Sequence, residues 1–101
     1  MRTILDKIEG DQIIYDHIIF HGTIVGITTV AKDGFLELHG TVVGDLVLLE
    51  SSKVNLHGTV NGNVINNGGF LEVTGTINGN LIKEHGDTHI DPKAAINGQI
   101  F

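Results

Sequence analysis

The sequence predicts an all-β fold, a single-stranded β-helix or solenoid with about 18 residues per coil. Three observations predict it: a phrase that recurs at a near-constant period, polar–apolar alternation within each copy, and glycine at equivalent places. The phrase reads His21-Gly22-Thr23-Ile24-Val25-Gly26, then His39-Gly40-Thr41-Val42-Val43-Gly44, then His57-Gly58-Thr59-Val60-Asn61-Gly62. It continues as Thr74-Gly75-Thr76-Ile77-Asn78-Gly79 and fades into Ala94-Ala95-Ile96-Asn97-Gly98. The second glycine falls at 26, 44, 62, 79 and 98, so the spacings are 18, 18, 17 and 19. Self-similarity of this length marks stacked structural units, each too small to bury its own apolar side.

Each unit reads as strand. In Val54–Val64 the even positions are apolar or glycine and the odd ones polar, the alternation of a half-buried strand. Val, Ile and Thr are abundant, and Asn-Gly pairs at 61–62, 78–79 and 97–98 supply turn chemistry. The 14 glycines are about twice the ~7% average. Gly22, Gly40, Gly58 and Gly75 fall at inward parity, which reads as corners or places where the coil narrows.

Eighteen residues suit three short faces, with successive coils ~4.8 Å apart. Equivalent positions then stack into ladders. The inward ones are Leu36, Val54 and Leu71; Leu38, Leu56 and Val73; Ile24, Val42, Val60 and Ile77; and Leu46, Val64 and Leu81. The outward ones are His21, His39 and His57; Thr23, Thr41, Thr59 and Thr76; Asn61, Asn78 and Asn97; and, separately, Asn63 and Asn80. Stacked Asn and Thr side chains can bond along the solenoid axis. Residues 17–101 are expected to form about five coils. Residues 1–16 read as a lead-in or cap: Thr3 to Asp6 resembles a helix capping box, and Ile4, Leu5 and Ile8 would line one short apolar helix face.

Composition excludes several classes of function. Hydrophobic residues at 41% and charged residues at 18% argue against disorder. The net charge of −6 disfavours nucleic-acid binding, which needs clustered positive charge. Cysteine is absent, which removes disulfides and thiolate metal sites. No apolar run approaches the ~20 residues of a membrane-spanning helix, and the start lacks a signal-peptide stretch. A cytoplasmic location without membrane contact is the expectation.

The phrases Gly58-Thr59-Val60-Asn61-Gly62-Asn63-Val64 and Gly75-Thr76-Ile77-Asn78-Gly79-Asn80-Leu81 resemble the bactofilins, bacterial polymer-forming cytoskeletal proteins with a compact β-helix. The resemblance covers roughly residues 18–101. It implies a right-handed, triangular β-helix and self-assembly into filaments by stacking of helix ends. Left-handed hexapeptide-repeat acyltransferases also use 18 residues per coil, but Asn66 breaks their six-residue pattern.

No catalytic, cofactor or metal site is expected. A metal wants convergent ligands and a supporting shell, whereas a His ladder offers parallel rings, and no carboxylate is expected to join it. Glu37 and Glu72 share a repeat position with Asn55 between them, an arrangement read as surface charge. The residues expected to make contacts are apolar ones at outward or terminal places: Ile19, Val25, Val43, Ile100 and Phe101. Phe101 is expected to sit over the last core layer. The leading function is a bactofilin-like structural protein that self-associates. The alternative is a discrete acidic β-solenoid that neutralises a basic protein partner, in the manner of an immunity protein or antitoxin.

Overall fold

The computed structural model describes residues 2–101 and measures 30 × 24 × 21 Å. It is an all-β solenoid of about five turns with about 18 residues per turn. The strands are β1 (Arg2–Ile4), β2 (Lys7–Glu9), β3 (Gln12–Ile14), β4 (His17–Phe20), β5 (Thr23–Val25), β6 (Thr28–Val30), β7 (Phe35–Leu38) and β8 (Thr41–Val43). They continue as β9 (Leu46–Leu48), β10 (Lys53–Leu56), β11 (Thr59–Val60), β12 (Val64–Val73), β13 (Thr76–Ile77), β14 (Leu81–Ile90) and β15 (Ala95–Ile96).

All strand pairing is parallel and runs between coils. The first face stacks β1, β4, β7, β10 and the second half of β12. The second face stacks β2, β5, β8, β11, β13 and β15. The third stacks β3, β6, β9 and the first half of β12. β12 and β14 pass through a corner without a break, so they join the first and third faces into one nine-stranded sheet.

The expected register holds residue for residue. Leu36, Val54 and Leu71 are Cα partners, as are Val42, Val60 and Ile77. Each inward aliphatic column is closed from solvent by its own neighbours above and below. Leu36, Leu38, Val42, Leu46, Val54, Leu56, Val60, Val64 and Leu81 all show 0% exposure. The glycines are needed for close approach. A Cβ at Gly58 would run into the carbonyl oxygen of Gly40 one coil away, and one at Gly62 into that of Gly44. A side chain there would push the coils apart and break the ladder.

Corner polar groups bond along the axis. The Asp45 Oδ1 accepts from the Asn63 N–H, the Asn63 Oδ1 from the Asn80 N–H, and the Asn80 Oδ1 from the Gln99 N–H, each at 2.9 Å. The Asn61, Asn78 and Asn97 carboxamides form a second chain, at 2.6 and 2.7 Å. Asn66 stands at an inward position of the third face and is fully buried. Its Nδ2 donates to the Gly69 and Asp87 carbonyls at 3.2 and 2.9 Å, and its Oδ1 accepts from the Gly69 N–H at 2.8 Å. One amide thus pins the corner through which β12 turns.

The N-terminal stretch corrects the expectation of a short helix. Arg2–Ile14 forms three strands that pair in parallel with β4, β5 and β6. Met1, also in the 1–16 lead-in, lies outside the described residues. Thr3 is a strand residue opposite Ile19 and caps nothing. The physical reason is pairing. A strand laid on the edge of the second coil satisfies its backbone and covers Ile18, Phe20 and Ile24, whereas a lone helical turn gains little.

Candidate functional site

Two kinds of surface stand out: the solenoid ends and three outward ladders. At the N-terminal end Ile4 and Ile8 are only half-buried against the core. With Ile14, Ile18, Phe20 and Ile24 they line an open hollow of about 470 Å³. At the C-terminal end Ala94 and Ile96 are the half-buried counterparts. Among the described residues, β1, β2 and β3 pair on one side only, and so does β15. Both ends therefore present a parallel strand edge around an apolar centre.

The expected contact residues do not form one patch. Val25 and Val43 are neighbours in register on the second face, with 37% and 40% exposure. Ile19 lies on the first face between Thr3 and Glu37 and is half-buried. Ile100 and Phe101 lie on the third face at the C-terminal end. Ile100 bridges Leu81, which gives it the inward position. Phe101 therefore points outward by strand alternation and is 62% exposed. This corrects the expectation that Phe101 covers the last core layer; the inward position beside Leu81 belongs to Ile100.

An outward apolar column also emerges that the repeat phrase does not contain. Ile13, Thr29, Val47, Ile65 and Ile82 stack in register along the third face, and Phe101 continues the line. Its sequence signal is paired apolar residues where alternation would put one: Ile13-Ile14, Leu46-Val47-Leu48, Val64-Ile65 and Leu81-Ile82. Such runs read as strands that are apolar on both sides.

The histidine ladder forms as expected. His21, His39 and His57 stack with ring centroids 4.8 Å apart and interplanar angles of 14° and 13°. The expectation that no carboxylate joins it is corrected. Glu37 Oε1 lies 2.9 Å from His39 Nε2. Residues two apart on a strand share a face, so the partner comes from along the strand, not from the next coil. Ligand atoms of Glu37, His39 and His57 all lie within 4.8 Å of one another. His57 Nδ1 lies 2.7 Å from Thr74 Oγ1, whose hydroxyl donates to the Leu56 carbonyl at 3.2 Å. Glu37, Asn55 and Glu72 are Cα partners in sequence, as expected, and the buried Asn55 Oδ1 has no hydrogen-bond partner among the described residues. A third outward ladder places Lys53 between Phe35 and Phe70, its Nζ 5.1 and 5.6 Å from the two ring centroids.

Comparison with protein-family models, with curated proteins and with solved structures returned no match to this chain. Among the described residues no helix is long and apolar enough to cross a membrane.

Proposed function

We propose that this chain is a non-catalytic structural protein of bactofilin type that assembles with copies of itself, in the cytoplasm, by stacking solenoid ends. The observation that carries this reading is the character of the two ends. Each exposes a parallel strand edge, and each surrounds it with half-buried aliphatics, Ile4 and Ile8 at one end and Ala94 and Ile96 at the other. Unpaired edges of this kind template further pairing unless something blocks them. A second copy supplies what each edge lacks, backbone partners at the coil spacing and aliphatics at the inward positions.

The outward carboxylates support a non-catalytic reading. Glu37 and Glu72 are separated by the Asn55 strand and stand at outward positions of the first face, where water is not excluded from a reacting group. A second reading rests on the third face. Its column of Ile13, Val47, Ile65 and Ile82, with the net charge of −6, suits a discrete binder of a basic protein.

Sedimentation velocity over a concentration series tests the proposal on wild type, Ile8→Lys, Ile96→Lys and Ile65→Lys. Wild type is expected to associate, and either end variant to lower the mean assembly size at least severalfold. Ile65→Lys should leave assembly intact. Mixing the two end variants reads the polarity. Dimers formed only in the mixture place unlike ends together; dimers of each variant alone place like ends together. Wild type that stays monomeric throughout would overturn the end-stacking reading in favour of the partner-binding one.

A further inference from the structure

We propose that Glu37, His39 and His57 form a binding site for a divalent transition-metal ion of the zinc type, on the outward side of the first face. The site is independent of how the chain associates.

The donor set is two imidazole nitrogens and one carboxylate oxygen, borderline ligands of the kind that hold zinc, copper or nickel and not calcium or magnesium. Their ligand atoms lie within 4.8 Å of one another. Zinc bonds of about 2.0–2.1 Å in a tetrahedron need donors roughly 3.3 Å apart. The gap to close is about 1.5 Å, within reach of side-chain rotation on an open face. Glu37 and His39 already meet that spacing, at 2.9 Å, and only His57 must tilt. Three protein ligands leave the fourth position to water.

The neighbouring groups hold the imidazoles ready. Thr74 Oγ1 lies 3.2 Å from the Leu56 carbonyl oxygen and 2.7 Å from His57 Nδ1. With the hydroxyl hydrogen directed at the carbonyl, the Thr74 oxygen accepts from a proton on His57 Nδ1. That leaves the lone pair on Nε2, the tautomer a metal requires, fixed through a hydrogen bond on the far nitrogen as in established zinc sites. On His39 the Nε2 faces the Glu37 carboxylate. A metal ion entering between them takes His39 Nε2 as a neutral imidazole donor, with the ring's one proton on Nδ1, and takes over the Glu37 oxygen as well. The ladder geometry sets the place along the axis. Two residues before His21 stands Ile19, and two before His57 stands Asn55. Only the His39 level has a carboxylate on the same strand.

Isothermal titration calorimetry with zinc chloride on the whole chain tests the site. Wild type is expected to bind one zinc ion per chain. His57→Ala and Glu37→Gln should each weaken binding at least tenfold, by the measure of altered zinc sites, while His89→Ala should leave it unchanged. These side chains are outward, so the variants should fold; circular dichroism checks this. Nitrogen-15 spectra of the imidazoles give a second readout. Without metal, His57 should show the Nδ1–H tautomer; with zinc, the Nε2 resonances of His39 and His57 should shift. No zinc binding by wild type would overturn the proposal. So would equal affinity in His57→Ala and Glu37→Gln, or imidazole resonances that zinc leaves in place.

Discussion

The middle coils and the terminal coils follow one sequence rule and reach different degrees of closure. In the middle, Val42, Val60 and Ile77 stack in register and are fully buried. At the ends the same ladder continues through Ile8 and Ile96, and both are only half-buried. The side chains are equivalent in size and orientation. What differs is whether a coil lies on both sides or on one. A translational repeat buries each layer with its neighbours, so its last layers always have spare apolar surface and a spare strand edge. Stability is thus concentrated in the middle, and capacity for association at the ends.

The largest expected effect separates these regions. Val60→Asp puts a carboxylate among aliphatics with no partner, and an unpaired buried charge costs several kcal/mol. A domain holds only about 5–15 kcal/mol in all. Val60→Asp is expected to unfold or aggregate, seen as loss of the β signal in far-ultraviolet circular dichroism. Ile8→Asp, on the same ladder, leaves its carboxylate in reach of water. Its expected cost is about 1–2 kcal/mol, part of the ordinary burial gain of an aliphatic. Equal losses from the two would break the distinction between middle and end.

Much of this was legible in the sequence, because a period fixes the register and the register fixes the ladders. Once Gly44, Gly62 and Gly79 are aligned, the inward and outward sets follow by alternation. The first coil was illegible for the same reason. It lacks the His-Gly-Thr phrase, and its step to the next coil is shorter: Arg2 pairs with Ile18, 16 residues on. Asp6 stands where later coils have glycine, and Gly10 alone keeps the pattern, beneath Gly26. The Glu37–His39 contact was missed because comparing coils reveals neighbours along the axis, while this pair lies along one strand. The outward third-face column escaped because Val47, Ile65 and Ile82 adjoin the inward ladder and belong to no repeated phrase.

Buried polar groups sharpen the contrast further. Asn66 and Thr28 both occupy inward third-face positions with 0% exposure. Asn66 is fully engaged, so Asn66→Leu leaves the Gly69 N–H without its side-chain acceptor and removes donors from two carbonyls. Buried groups stripped of partners cost about 1–3 kcal/mol each. The expected loss is roughly 2–4 kcal/mol, read as a lower urea midpoint with an unchanged slope. A Leu at that position matches Leu48 in the adjoining coil, so a stabilised variant would mean that the corner holds without the amide.

Thr28 gives the smallest effect and the opposite sign. Its Oγ1 is buried and has no hydrogen-bond partner among the described residues. Its Cα partners are Gln12 on one side and Leu46 on the other, and from Leu46 the column continues through Val64 and Leu81, so the position is aliphatic in every later coil. Thr28→Val keeps the branched shape and the strand propensity and replaces the hydroxyl with a methyl group. The folded state loses no bond, and the unfolded state loses a hydrated hydroxyl, so both changes favour folding. The expected gain is about 1 kcal/mol, toward the low end of what burying an unpaired hydroxyl costs. Thermal and urea unfolding of the variant beside wild type measure it. A loss of 1 kcal/mol or more would show that the hydroxyl is bonded in the folded chain, by a water held between the second and third coils. The second coil would then share with the ends a wetness that the aliphatic columns above it do not have.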